Sequence, residues 1–154
     1  PIVRAAVPEL VDCALPCVGG LHSFAVLSIE KSSAYEARKV ASAAWGLDLT
    51  SLTKVVVIVD AEVDVHDARQ VLAEIGANVH PARDIFFHQG PGDPCDHAAP
   101  TVGLGEAVGI DATRKLAGEH PADWPARLAT DADIAQRVAK RWSEYGITQG
   151  REPR

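Results

Sequence analysis

The stretch KVVVIVD, Lys54–Asp60, determines the fold class of this chain. Its five successive β-branched residues, Val55–Val59, have no polar residue between them. Such a run is typical of a strand whose two faces are both covered, as in a parallel sheet with crossover helices. We therefore expect Lys54–Val59 to be the central strand of an α/β domain.

A predicted strand and helix lie before this stretch. FAVLSI, Phe24–Ile29, is apolar and bounded by polar residues, which is typical of a strand. Ser33 and Glu36 have the spacing of a capping box, and apolar residues recur at helical spacing in Ala37–Trp45. Gly46 is placed to end this helix in a left-handed cap. With the central strand, these elements form a βαβ unit.

A second helix and a third strand are predicted after the central strand. Asp64 or Asp67 can cap the helix, which we expect to end at Gly76. Its predicted apolar stripe consists of Ala68, Val71, Leu72 and Ile75. DIFFH, Asp84–His88, then has the composition of a strand. This βαβαβ order predicts an α/β fold, with a mostly parallel sheet flanked by helices and right-handed crossovers.

The rest of the chain is predicted to be irregular up to a C-terminal helix. Gly90–Pro100 holds two Gly and three Pro, and residues 101–125 stay rich in both, so we expect one long irregular segment. Thr130 and Gly146 would bound the helix. Its apolar stripe consists of Ile134, Val138, Trp142 and Tyr145. This stripe suits docking, either onto another subunit or onto the chain's own sheet. The predicted parts are therefore an α/β domain (1–125), a helix (126–146) and a tail (147–154).

Composition and charge exclude several classes of function. Hydrophobic residues make up 47% of the chain and charged residues 23%, as in ordinary globular proteins. A net charge of −6 argues against a nucleic-acid partner, which requires clustered Lys and Arg. No apolar run reaches the roughly 20 residues of a membrane-spanning helix. Three cysteines and the lack of a signal-peptide pattern favour free thiols and a cytoplasmic location. The start at Pro1 and the absence of Met favour a segment of a longer product.

Several polar groups of the sequence invite a functional interpretation. The acidic turn at Asp60–Asp67 could bind Mg²⁺, but helix capping is the interpretation that we prefer. Lys31, ahead of a helix N-terminus, could bind phosphate, or it could be an ordinary surface lysine. We expect three cations, Arg83, Arg114 and Lys115, to pair with Asp84 and Asp111. The sets Cys13, Cys17, His22 and His88, Cys95, His97 form no complete zinc pattern.

Five ordered motifs resemble the C-terminal domain of the UbiD-type decarboxylases, over about residues 9–146. They are SFAVLSIEK (23–31), TKVVVIVDAEVDVHD (53–67), HPARD (80–84), DHAAP (96–100) and GIDATRK (109–115). The resemblance implies a non-oxidative carboxy-lyase that uses prenylated FMN with a divalent metal and potassium. It implies that the catalytic residues lie in an upstream flavin-binding domain, so no residue of this chain is predicted to be catalytic or to bind metal.

For this domain, the resemblance implies oligomerisation and closure of the active site against a flavin-binding domain of the same or a companion chain. It assigns Lys31 to a position near the flavin phosphate and Gln70–Ile75 to the side of the substrate cleft. Ala73 departs from the family pattern, which has Trp there, so the acid that is decarboxylated stays open. We expect the chain alone to be inactive. The alternatives are a stand-alone assembly or binding module without catalysis, and a small metal- or nucleotide-binding domain.

Overall fold

A computed structural model describes residues 5, 7–17, 23–47, 52–120, 124–125 and 130–145. The chain divides into two compact units, Pro1–Trp124 and Pro125–Arg154. The predicted tail over residues 147–154 lies outside the described residues, and the three-part division stays a prediction. Among the described residues, no helix has the length and apolar character to span a membrane.

The first unit contains a five-stranded sheet with three described helices. Its strands are β1 (Leu10–Ala14), β2 (Phe24–Ile29), β3 (Val55–Asp60), β4 (Ile85–Pro91) and β5 (Leu104–Asp111). Its helices are α1 (Glu36–Trp45), α2 (Ala68–Asn78) and the single turn α3 (Pro81–Asp84). The strand order is β1-β2-β3-β5-β4, in which β2, β3 and β5 are parallel and the two outer strands are antiparallel to their neighbours. The predicted α/β class is thus confirmed.

The identity of the third parallel strand was predicted wrongly. Residues 85–91 form the antiparallel edge strand β4, and β5, within the segment expected to be irregular, pairs with β3. The glycines that suggested a loop have a packing role in the strand. A Cβ at Gly109 would overlap the ring of Phe86 on the paired strand. Glycine is therefore required there by the close approach of an aromatic side chain, although it disfavours strands elsewhere.

The β-branched run of β3 separates two buried clusters. Val56 and Ile58 face α1 and Trp45, whereas Val57 and Val59 face the side of Val71 on α2. Because successive side chains in a strand point to opposite faces, one uninterrupted apolar run supplies both clusters. Fully burying a valine or isoleucine contributes roughly 1.5–3 kcal/mol, so this strand holds both helical layers on the sheet.

The ends of the helices follow the predicted chemistry only in part. Asp67 caps α2 by accepting hydrogen bonds from the N–H groups of residues 69 and 70, as predicted. Glu36 reaches back to the preceding turn, but the N-cap of α1 is Tyr35. Gly46 ends α1 in a right-handed conformation (φ −79°), so the predicted left-handed cap is wrong. Gly76 lies inside α2, and Leu72 is 66% exposed, since α2 buries its face through Val71.

The second unit contains the C-terminal helix α4 (Ala132–Lys140) and a 3-10 turn over Trp142–Tyr145. Its cap is Asp131, which accepts from the N–H groups of residues 133 and 134, and not the predicted Thr130. The predicted apolar stripe remains between 36% and 46% exposed at Ile134, Val138, Trp142 and Tyr145. Gly146, the predicted helix end, lies outside the described residues.

Candidate functional site

The candidate site lies at the carboxyl ends of the three parallel strands, where ligands usually bind in open α/β sheets. Lys31 follows β2, Asp60 ends β3, and Asp111 ends β5. The segment after β5 folds back over these ends and brings Glu119 to Lys31. Residues from three sequence motifs thereby form one polar cluster.

Lys31 is buried at the centre of this cluster, with its side chain only 3% exposed. Its Nζ donates to Oε2 of Glu119 (2.7 Å), to Oγ1 of Thr113 (2.9 Å) and to the carbonyl oxygen of Arg114 (3.2 Å). An ammonium group has three hydrogens, so these three acceptors account for its donors. Asp111 adds a longer ion pair, at 3.8 Å.

A second buried ammonium lies on the other side of Asp111. Lys115 Nζ is 3.0 Å from Oδ1 of Asp111 and 3.5 Å from Oδ1 of Asp84. Arg83 binds both oxygens of Asp84, each at 2.7 Å, through Nε and Nη2. The predicted pairing of Arg83 and Lys115 with these two aspartates is therefore confirmed. The cluster alternates cations with carboxylates, which lowers the cost of burying each charge.

The partners of Glu119 and Asp84 favour the ionised forms of these two carboxylates. Burial alone would raise the pKa of Glu119, but hydrogen bonds from Lys31 and from the N–H groups of Leu116 and Tyr35 lower it overall. Burial likewise opposes ionisation of Asp84, and the hydrogen bonds from Arg83 and the N–H of His80, with the charge of Lys115, lower its pKa. Asp60 differs: burial raises its pKa, although it accepts a hydrogen bond from the N–H of Arg114.

The N–H groups of the turn before α1 already bind carboxylates of this chain, where an external anion would otherwise bind. The N–H groups of Ser32 and Ser33 donate to Oε2 of Glu36, at 2.6 and 3.2 Å. The N–H of Tyr35 donates to Oε1 of Glu119 at 2.6 Å. In this arrangement neither Lys31 nor these N–H groups offers a donor to a phosphate. The described residues therefore do not fit the phosphate of a flavin without a rearrangement of Glu36 or Glu119.

Local hydrogen bonds account for Asp64 and Asp67 of the acidic turn after β3. Asp67 caps α2, and Asp64 accepts from the N–H of His66 at 2.9 Å. Over the described ranges, no three or more His, Cys, Asp or Glu side chains are arranged to hold a metal ion. His22 of the first cysteine set lies outside those ranges. Capping, the interpretation preferred from the sequence, is confirmed for Asp67.

A cavity of about 540 Å³ lies at the opposite end of the sheet, between the amino ends of the parallel strands and the loop after β4. Lys54 pairs there with Asp96 of the DHAAP motif (2.7 Å), and the ring of His88 stacks on Trp45 at 4.8 Å. Cys95 and His97 line the same cavity. The contacts of Asp96 order the loop, because its other oxygen accepts the N–H of Ala98.

Sequence reasoning singled out Lys31 but missed its main partner, Glu119. This residue lies 88 positions away, in a segment without periodic apolar residues, and nothing in its local pattern distinguishes it. Only the fold of the chain after β5 identifies it. Thr113 could have been found, since it lies within a motif that also holds Asp111 and Lys115.

Comparison with protein families gives a match over residues 1–112 to the domain described as the 3-octaprenyl-4-hydroxybenzoate carboxy-lyase C-terminal domain, UbiD_C. The chain is 40% identical over 146 residues to an uncharacterized protein of Archaeoglobus fulgidus and 38% identical over 149 residues to one of Synechocystis. These matches cover 94% and 96% of the chain. It spans only 30% of the length of each relative.

Solved structures show the same fold. The UbiD-class enzyme HmfF from Pelotomaculum thermopropionicum, in complex with FMN, aligns with a TM-score of 0.73 and 29% identity over 90% of this chain and 30% of that one. An evolved dimeric form of HmfF in complex with prFMN aligns with a TM-score of 0.63, at 26% identity, over 90% of this chain and 27% of that one. The closed form of the vanillic acid decarboxylase of Sedimentibacter hydroxybenzoicus has a TM-score of 0.77 at 22% identity, over 95% and 30% of the two chains, which supports the fold alone.

Proposed function

Because the chain belongs to the UbiD decarboxylase family, in which it matches the C-terminal domain, we propose that it closes the active site of a prenylated-FMN-dependent decarboxylase and contributes to its oligomerisation. The substrate class would be aromatic or unsaturated acids. The observation that carries this proposal is the match over residues 1–112 in a chain that spans 30% of its relatives. The partner is the flavin-binding domain of the same or a companion chain.

The remaining expectations about the complete enzyme are part of this proposal. Prenylated FMN, a divalent metal and potassium would be held by the flavin-binding domain. The FMN and prFMN complexes of HmfF support the flavin part of this expectation. A cytoplasmic location and the absence of nucleic-acid partners also stay predictions. We expect the chain alone to bind no flavin tightly and to release no CO₂.

Contact between Lys31 and the flavin phosphate is the one site prediction that the proposal keeps. It requires Nζ to exchange at least one of its present acceptors for a phosphate oxygen. Loss of Glu119 would leave the charge of Lys31 most available to a phosphate, because Glu119 is the carboxylate closest to Nζ, at 2.7 Å. Removing its charge by Glu119→Gln should therefore strengthen flavin binding by the assembled enzyme if the contact exists. Unchanged flavin affinity in this variant would contradict the assignment.

The function is tested by reconstitution. The purified chain, a flavin-binding partner, and the two together are each supplied with prenylated FMN and a panel of aromatic and unsaturated acids, and CO₂ release is measured. We expect release only from the mixture. Robust CO₂ release by the chain alone would contradict the prediction that the catalytic residues lie in the flavin-binding domain. A chain that neither binds nor activates a family flavin domain would favour the alternative, a stand-alone module that kept the fold.

One observation favours the alternative of a stand-alone module, and we therefore retain it. The donors that could meet an anion near Lys31 are satisfied by Glu36 and Glu119, so the described site is complete without a ligand. A stand-alone module would show no change in stability when a flavin-binding domain of the family is added, because only partners that bind the native state raise its stability.

A further inference from the structure

The outer strand β4 has an unusual edge for a protein in solution. It is the last strand of the sheet on its side, and Phe87 at its centre is 75% exposed. The strand IFFHQGP contains no Asp, Glu, Lys or Arg. Exposed edges are normally protected by charged residues, bulges or short length, because open edges pair with other chains.

The hydrogen-bonding pattern shows which backbone groups point outward from β4. The N–H of Val108 in β5 donates to the carbonyl of Lys54, just before β3, and the N–H of Ala112, just after β5, donates to that of Ile58, each at 2.8 Å. Alternate residues of β5, counted from Val108, therefore face β3. Phe87 is opposite Val108, and its N–H and C=O therefore point to the open edge, as do those of Gln89. Ile85 donates its N–H to Pro81, and Pro91 has no N–H, so these residues bound the open stretch.

This stretch is complementary to itself. If two copies pair antiparallel about a two-fold axis at Phe87, each Phe87 exchanges both backbone hydrogen bonds with its counterpart. The N–H of Gln89 then meets the Ile85 carbonyl of the other copy. Such a pairing places no charged side chain opposite a like charge, which would destabilise a strand pair.

The other edge of the sheet lacks these properties. β1 has a register shift between Leu10 and Asp12, and the Asp12 side chain is 60% exposed. Two copies paired through β1 would bring carboxylates together across a distorted edge. An apolar surface also continues from β4 onto Leu104 and Val102, which are 61% and 80% exposed. Charge and geometry thus both favour β4 as the side that takes up a partner.

We propose that β4 is a self-association surface, through which a second copy of this chain continues the sheet by antiparallel pairing centred on Phe87. This proposal deepens the oligomerising role and rests on it only for its biological context. The interface and the decarboxylase assignment can fail separately, because association is measured without flavin or substrate. A monomeric chain that still activates a flavin domain would refute this interface alone.

Association is tested on the 154-residue chain by sedimentation equilibrium, with Phe87→Glu and Leu72→Glu as matched variants. Both replace an exposed apolar side chain with the same charge, but Leu72 lies on α2. We expect a wild-type dimer, an unchanged Leu72→Glu dimer, and a dissociation constant roughly 30-fold higher or more for Phe87→Glu, as when a central aromatic anchor is lost. A wild-type monomer, or equal effects of both variants, would overturn the proposal.

A cross-linking experiment reports the register and does not depend on a charged variant. Cys17 and Cys95, the two exposed cysteines, are replaced with Ser, and Phe87→Cys is introduced. Directly opposite residues in such a pair have Cα atoms about 5.5 Å apart, which a disulfide can bridge. We expect a covalent dimer on mild oxidation, and none with Leu72→Cys in the same background. A covalent dimer from neither variant, or equally from both, would contradict antiparallel pairing centred on Phe87.

Discussion

The buried ammonium of Lys31 offers the sharpest test of how the candidate site is held together. Lys31→Met keeps the length and apolar stem of the side chain and removes only its charge and its three donors. The change leaves Glu119 with its side chain 2% exposed and without its closest cation. Asp111, 6% exposed, retains Lys115. The damage should therefore centre on Glu119.

The expected cost follows from the burial of this pair. Removing one partner of a buried ion pair typically destabilises a protein by about 3–5 kcal/mol, because the other charge is left uncompensated. Glu119 keeps hydrogen bonds from the N–H groups of Leu116 and Tyr35, so we expect the lower end, about 3 kcal/mol. For a domain of this size that corresponds to a decrease in melting temperature of roughly 6–12 °C.

The measurement is urea unfolding at pH 7, followed by far-UV circular dichroism, for wild type and variant. Arg141→Met is the matched control, since Arg141 pairs with Glu144 and their side chains are 62% and 58% exposed. We expect no resolvable change in its unfolding midpoint, because exposed pairs contribute little. The double variant Lys31→Met/Glu119→Gln should recover part of the lost stability, since no unpaired charge remains.

A Lys31→Met variant that is as stable as the exposed control would contradict a stabilising role for the buried ion pair. A loss below about 1 kcal/mol would mean that water reaches the cluster or that Glu119 finds another cation. A double variant less stable than the single one would show that the Glu119 carboxylate stabilises the fold even without Lys31. Either result would remove the ion pair as the element that joins the β2–α1 turn to the segment after β5.

Three further results are expected. In Glu119→Gln the unfolding free energy should fall less steeply as the pH is lowered. A carboxylate with a lowered pKa stabilises the fold above its unfolded pKa and loses this contribution as the pH falls through its folded pKa. Acid unfolding curves of wild type and variant should therefore converge at low pH. Asp60→Asn should raise the unfolding free energy at pH 7 but not at pH 3, because a raised pKa favours the protonated form, and an equal gain at both values would contradict burial as the cause. Gly109→Ala should lower the melting temperature, since the new methyl overlaps the Phe86 ring, and Gly76→Ala, where the added methyl meets no atom, should not.

The strongest local patterns were sufficient for the parts of the fold that depend on them. The run Val55–Val59 predicted a strand covered on both faces, and such a strand is found between two buried clusters. Asp67 was one of two predicted caps, and its capping needs only the next three residues. The spacing of the motifs was sufficient for the family, because several ordered motifs are much less ambiguous than any one of them.

Weak local signals failed where the partner lies far away in the chain. Gly105 and Gly109 suggested a loop, yet β5 forms because β3 supplies its hydrogen bonds and Phe86 requires the space at Gly109. Leu72 has helical spacing with Ala68 and Ile75, but α2 buries Val71 and leaves Leu72 exposed. When the apolar stripe of a helix is wider than its contact with the sheet, the sequence does not show which residues of the stripe will be buried.

The α/β class, the central strand, the family and the pairing of Arg83 and Lys115 with aspartates can be predicted from local patterns and ordered motifs. The long-range arrangement cannot: β5 lies between β3 and β4, β4 is an open edge, and Glu119 meets Lys31 across 88 positions. Strand pairing and buried charge pairing join groups that are far apart in the chain. Their energies depend on which groups the whole chain brings together and removes from water.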